Sequence, residues 1–145
     1  MSMTMTEVTQ PPVVISAERT LLIVEDDKSF LLRLARAMEA RGFEVRTAES
    51  VGEGLQQVET SAPAFAVVDM RLGDGNGLDV VSALKRKRPD ARAIVLTGYG
   101  NIATAVTAVK MGAVDYLSKP ADADDVVAAL LASGTEKSEL PHNPM

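Results

Sequence analysis

The sequence has no cysteine and no tryptophan, and aromatic residues supply only 3 % of it. Without cysteine there are no disulfides, no thiolate metal site and no thiol redox sensing by the chain itself. With so few aromatics, the core must be built from Val, Leu, Ile, Ala and Met. No apolar run approaches the ~18 residues that a transmembrane helix needs, and the N-terminus lacks the basic start and apolar centre of a signal peptide. A cytoplasmic protein without membrane contact is expected. Basic residues are also short, 15 Lys and Arg against 20 Asp and Glu, for a net charge of −5. Nothing therefore draws the chain as a whole to nucleic acid. Any DNA contact falls to another part of the protein or to a partner.

What the 145 residues do contain fits one domain with one real core. Residues 1–18 mix Thr, Ser, Gln, Pro and Met without period and read as a disordered leader. Residues 19–134 read as the folded domain, and the polar, proline-containing 135–145 as a linker or tail. Within the domain, short apolar runs alternate with amphipathic stretches. Thr20–Val24 is a buried strand stopped by three acids, Glu25-Asp26-Asp27. Phe30, Leu31, Leu34, Ala35 and Met38 recur at helical spacing through Arg41, with Asp27 as N-cap and Gly42 as C-terminal cap. Glu44–Ala48 alternates as a second strand. Ser50 and Glu53 have capping-box spacing and open a helix that must stop before Pro63.

The third strand, Phe65-Ala66-Val67-Val68-Asp69, is apolar on both faces and ends on a carboxylate. Further βα units follow: a helix over Leu78–Arg88, a strand Arg92–Thr97, a helix Asn101–Met111, a strand Val114–Ser118 and a helix Asp122–Ala132. Five such units imply an α/β fold, a flavodoxin-like doubly wound five-stranded parallel sheet of strand order 2-1-3-4-5 with helices on both faces. Open sheets of this kind do their chemistry beyond the carboxyl ends of the strands, and four of the five strands end in reactive side chains: Glu25 to Asp27, Asp69, Thr97 and Lys119.

With the first strand beside the third, Glu25, Asp26 and Asp69 would meet at the switch point. Three crowded carboxylates repel one another unless a cation intervenes, and oxygen ligands without His or Cys select a hard ion, magnesium fitting best. A carboxylate can also attack phosphorus to give an aspartyl-phosphate, with magnesium, the Lys119 ammonium and the Thr97 hydroxyl steadying the phosphoryl oxygens. Taken singly, each feature has an ordinary reading: Asp69 as a turn residue, Thr97 as a strand-end hydroxyl, Lys119 as a solvated charge, Tyr116 as a strand residue. Gly73-Asp74-Gly75-Asn76-Gly77 lacks the spacing of a phosphate loop and reads as a flexible turn. Lys85-Arg86-Lys87-Arg88 sits at a helix C-terminus, where the dipole favours cations, and reads as a helix end rather than a nucleic-acid patch. Tyr99 either gates the site or covers the loop. His142 has no companion ligands.

The set Glu25-Asp26, Asp69, Thr97 and Lys119-Pro120 resembles the CheY-like receiver domain of bacterial two-component response regulators over about Thr20 to Ser133. The stretches Asp74 to Val81, Leu96 to Gly100 and Val109 to Asp122 further resemble the RegA/PrrA/ActR type of regulator, which controls redox-responsive and photosynthetic or respiratory genes. The resemblance implies that Asp69 accepts phosphate from a sensor histidine kinase and that Asp26 ligates Mg2+ directly, Glu25 through water and Arg71 by its backbone carbonyl. It implies that Lys119 contacts the phosphoryl group, that the Lys119-Pro120 bond is cis, that Gly98 leaves room for phosphate, and that Thr97 and Tyr116 form a switch pair. Gly73 departs from a common proline and Ala121 from a common aromatic. Relatives of this type continue into a Fis-type helix-turn-helix, so this chain reads as truncated before a DNA-binding output domain that controls transcription.

Two rival functions fit the residues less well. A haloacid-dehalogenase-like phosphatase needs a second Asp two residues after the nucleophile, where Arg71 stands. A pure interaction module would leave the acid set without purpose. Lys110 is the one charge between Asn101 and Met111, and this sparsity of polar surface points to the Asn101–Ala132 face as a self-association or output surface.

Overall fold

The computed structural model describes residues 18–98, 102–110, 112–113, 115–119 and 121–132. The readings of a leader over 1–18, apart from Glu18, a tail from 135, a role for Tyr99 and a cis bond to Pro120 lie outside the described residues. Strands β1 (Thr20–Val24), β2 (Glu44–Ala48), β3 (Phe65–Asp69), β4 (Arg92–Thr97) and β5 (Asp115–Ser118) form one parallel sheet in the order β2-β1-β3-β4-β5. Helices α1 (Lys28–Ala40), α2 (Val51–Thr60), α3 (Leu78–Lys87), α4 (Ile102–Lys110) and α5 (Ala123–Leu131) make the connections. The expected flavodoxin-like topology, CheY-like in detail, is the one observed.

Strand periodicity divides the core into two layers. Leu21, Ile23, Val67, Ile94 and Leu96 face α1 and α5, meeting Leu31, Leu34, Met38, Val126 and Leu130. Leu22, Val24, Ala66, Val68 and Val95 face α2 and α3, meeting Val58, Val80, Val81 and Leu84. The central strand β3 is buried at every position, whereas the edge strand β2 exposes most of its residues. That contrast is why β3 reads as a continuous apolar run and β2 as an alternating one.

The caps follow the sequence closely. Asp27 accepts from the Phe30 N–H at 3.2 Å, Ser50 from Glu53 at 3.1 Å and Asp122 from Asp125 at 3.0 Å. The Glu53 carboxylate returns to the N–H of Glu49 at 2.7 Å, one residue before the cap that box spacing would give it. Gly42 ends α1 at φ +94°, a conformation that favours glycine. Three of the four basic residues at the end of α3 are paired within the molecule. Lys85 Nζ donates to the carbonyls of Pro89 (2.8 Å) and Ala91 (2.7 Å), Lys87 pairs with Glu59, and Arg88 holds Glu18 and the Ala62 carbonyl. These bonds favour the helix-end reading over a nucleic-acid patch.

The glycine-rich segment after β3 is more ordered than expected. Arg71–Leu72 pairs antiparallel with Gly75–Asn76 as a small hairpin, and Leu72 is buried. The hairpin returns because the Gly77 N–H donates to the Met70 carbonyl at 2.9 Å. A Cβ at Gly77 would lie 2.1 Å from the Asp69 carbonyl oxygen and 2.6 Å from a Val68 methyl, so only glycine fits. Gly77→Ala is expected to cost about 1–3 kcal/mol through overpacking. Gly52→Ala, whose Cβ would meet nothing closer than 3.7 Å, is expected to leave stability unchanged or raise it by up to about 1 kcal/mol. Urea unfolding of the two variants checks the contrast.

Candidate functional site

Because all five strands are parallel, their carboxyl ends open on one edge, and the candidate residues gather there. Glu25 and Asp26 follow β1, Asp69 closes β3, Thr97 closes β4 and Lys119 follows β5. Glu25, Asp26 and Asp69 each offer a carboxylate oxygen within 4.8 Å of the others. Their exposures differ: Glu25 is 0 % and Asp69 6 % exposed, while Asp26 is open to solvent. Two buried acids and one wet one therefore share a single point.

Lys119 balances the buried pair. Its Nζ donates to Glu25 Oε1 at 2.9 Å and to Asp69 Oδ2 at 3.3 Å. The other Glu25 oxygen accepts from the Asp27 N–H at 3.0 Å, and Asp69 Oδ1 from the Arg71 N–H at 3.3 Å. The Glu25 backbone is tied to the end of β2 by its N–H on the Ala48 carbonyl at 3.0 Å. Burial pushes the Glu25 carboxyl up to about 7; the Asp27 N–H and Lys119 pull it back, and the Asp69 charge adds to the rise. For Lys119, burial works against the ammonium, but Glu25 and Asp69 outweigh it and the net shift is upward.

The other candidates are placed as follows. Thr97 is 1 % exposed, and its hydroxyl donates to the Gly98 carbonyl at 3.1 Å, while its own carbonyl accepts from the Lys119 N–H at 2.9 Å. The Lys119 backbone is thus pinned to the end of β4. Tyr116 is half-buried against the α2–α3 layer, paired with Val95 in the sheet register. Arg71 begins the hairpin beside Asp69, its side chain exposed. Two residues were missed. Phe30 lies beneath Lys119, with Nζ 5.3 Å from the ring centroid; in sequence it is one more apolar position of α1. Asp74 reaches across to the start of α2, a contact that no local pattern signals.

The donor set suits a divalent cation. All three side chains are carboxylates, and one lies at the solvent edge, where a hard ion keeps part of its water shell. One lysine against three acids leaves negative charge in excess, and a cation at their common point would remove it. Glu25 has a folded-state value above its ordinary 4.5. It costs nothing where both states are protonated, and its cost grows as pH climbs from about 4.5 and is complete above about 7. In chelator, stability is expected to fall across that interval and to flatten in Glu25→Gln; added magnesium is expected to stabilise more at pH 8 than at pH 5. Urea midpoints against pH, with and without the metal, test both signs.

Comparison with known proteins agrees with this arrangement. The family model described as response regulator receiver domain matches residues 21–131. The acid tolerance regulatory protein ActR of Sinorhizobium medicae is 63 % identical over 131 residues, 90 % of this chain and 68 % of that protein. The photosynthetic apparatus regulatory protein RegA of Rhodobacter capsulatus is 61 % identical over 131 residues, 90 % of this chain and 71 % of that protein. Among solved structures, a response regulator from Burkholderia pseudomallei with a phosphorylated aspartic acid, calcium ion and citrate superposes with a TM-score of 0.78 at 40 % identity, covering 88 % of this chain and 76 % of that one. Among the described residues no helix is long and apolar enough to cross a membrane. A parallel sheet with acids gathered at its carboxyl edge, matched along nearly its whole length, places this chain in the response regulator receiver family, the regulatory phosphoacceptors that a cognate sensor histidine kinase addresses in two-component signalling.

Proposed function

We propose that Asp69 is the phosphoacceptor. A carboxylate oxygen attacks the phosphorus of a kinase phosphohistidine; an O–P bond forms and the P–N bond breaks, its electron pair returning to the imidazole, which takes up a proton. The observation that carries this reading is a buried aspartate at the end of the central strand, within 4.8 Å of two further carboxylates and bonded to a lysine. Asp26 directly, Asp69, Glu25 through water and the Arg71 backbone carbonyl are the ligands assigned to magnesium. Bound there, the ion would offset the charge on the phosphoryl oxygens.

The chain's own groups do the rest. Lys119 already holds an Asp69 oxygen and can pass to a phosphoryl oxygen while keeping its hold on Glu25. The Thr97 hydroxyl, spent on the Gly98 carbonyl, gains a stronger acceptor when a charged phosphoryl oxygen arrives. Gly98 offers no side chain to obstruct it. Tyr116, in the neighbouring strand, then turns inward as the second half of the switch. Water eventually hydrolyses the acyl phosphate and resets the site.

Val106 and Val109 of α4 are 43 % and 39 % exposed and Leu131 of α5 46 %, a set of apolar side chains that a partner surface would cover. Self-association through the Asn101–Ala132 face is the consequence we assign to phosphorylation, with DNA binding and transcriptional control carried by a helix-turn-helix domain in the C-terminal direction. The likeness to ActR and RegA, named as regulatory proteins of acid tolerance and of the photosynthetic apparatus, supports a regulatory output.

Intact mass after incubation with acetyl phosphate tests the acceptor. A magnesium-dependent gain of one phosphoryl group is expected in the wild type and none in Asp69→Asn. No gain from acetyl phosphate or from a cognate kinase, in a folded protein, would replace this reading with that of an interaction module. Sedimentation of the phosphorylated chain, expected to show an increase in mass that Val106→Asp removes, tests the output face.

A further inference from the structure

Asp74 stands at the tip of the hairpin that follows Asp69. Its carboxylate oxygens accept from the backbone N–H groups of Val51 at 2.8 Å and Gly52 at 3.1 Å, the first two residues of α2. The next N–H, that of Glu53, is already taken by Ser50. The first turn of α2 is thus capped twice, once locally and once by a residue from another loop. The two N–H groups hold the Asp74 carboxyl below its usual range, so it stays an anion at the positive end of the helix.

The same hairpin borders the site. The Arg71 N–H donates to Asp69 Oδ1 at 3.3 Å, and a Cβ built on Gly73 would lie 3.9 Å from Asp26 Oδ2. The helix that Asp74 grips is itself fixed against the acid-bearing strand. A Cβ at Gly54 would lie 3.2 Å from Val24, the residue before Glu25, and 3.1 Å from Val80 of α3. Close approach of α2 to β1, the tie from the Glu25 N–H to Ala48 and the grip of Asp74 make a closed circuit around the carboxylates.

We propose that Asp74 is a positioning residue for cation binding and phosphoryl transfer at Asp69: by fixing the hairpin tip to α2, it holds the Arg71 backbone in register with the Asp26 and Asp69 carboxylates. The proposal rests on the reading of Asp69 as phosphoacceptor. It explains how a segment with three glycines in five residues, Gly73 to Gly77, keeps a fixed geometry beside a metal site.

The test compares Asp74→Ala, Asp74→Asn and Ser50→Ala in the whole chain. Magnesium affinity is measured by titration and phosphorylation rate with acetyl phosphate, alongside Tm. Asp74→Ala is expected to weaken magnesium binding by about tenfold, the low end for residues that orient ligands without touching the metal, and to slow phosphorylation at subsaturating metal. Asp74→Asn, which keeps an acceptor oxygen, is expected to lie between it and the wild type, and it carries the test if the alanine variant does not fold. Ser50→Ala removes a cap from the same helix without touching the hairpin, and is expected to lower Tm while leaving both site readouts at the wild-type level. Equal losses of affinity in Ser50→Ala and Asp74→Ala, or wild-type affinity and rate in a folded Asp74 variant, overturn the proposal. A wild-type chain that takes up neither magnesium nor phosphate overturns the reading of Asp69 and this proposal together, whereas a wild type that is phosphorylated and an Asp74→Ala chain that matches it overturn this proposal alone.

Discussion

The constraint on which the site depends is the crowding of three carboxylates at a point where two of them have lost their water. Glu25 and Asp69 are buried, and Asp26 closes the group on the solvent side. Buried like charges cannot all stay ionised without compensation. Lys119 provides part of it by donating to both buried acids at once. A single ammonium leaves the trio short of neutrality, and burial, with the Asp69 charge adding to it, raises the Glu25 carboxyl. Affinity for a hard cation follows from that shortfall.

The fold exists, in this sense, to bring distant segments to one edge and hold them there. Parallel pairing sets Val24 against Val68 and Asp69 against Leu96, so the residues that follow those strands emerge side by side. Lys119 arrives from the far strand and is fixed twice, through its backbone on Thr97 and through its side chain over Phe30. The loops are tied as firmly as the strands: Glu25 to Ala48, Gly77 to Met70, Asp74 to α2. A site assembled from so many backbone bonds is preorganised, which is what electrostatic stabilisation of a charged transition state requires.

Signalling needs the opposite property at one point. Thr97 and Tyr116 lie on adjoining strands on the way to α4 and α5. The Thr97 hydroxyl is held by one neutral carbonyl, a bond that a charged acceptor can replace. Rigidity around Asp69 and a weakly held hydroxyl at Thr97 are complementary: backbone ties fix the carboxylates in place, whereas the Thr97 hydroxyl has only a neutral carbonyl to give up.

Much of this was legible in the sequence, because the signals were local. Periodicity separates strand from helix, so Val67 and Leu34 announce their environments, and strand runs that end on Asp69 or Lys119 announce a functional edge. The caps at Asp27 and Ser50 were readable for the same reason, since a cap and its N–H lie within three residues. Contacts between segments were not readable. Asp74 sits among glycines and looks like a turn, and its bond to Val51 exists only because the hairpin folds back on α2. Phe30 is an ordinary apolar position of α1 until the sheet delivers Lys119 above it. The sequence by itself determined the order of elements, the faces they bury and the kinds of groups at the strand ends, because backbone periodicity and side-chain chemistry are properties of neighbouring residues. Only the tertiary structure decided which acid is buried, which cation answers it and what holds the loops in place, because desolvation and hydrogen bonding across the sheet depend on segments far apart in the chain.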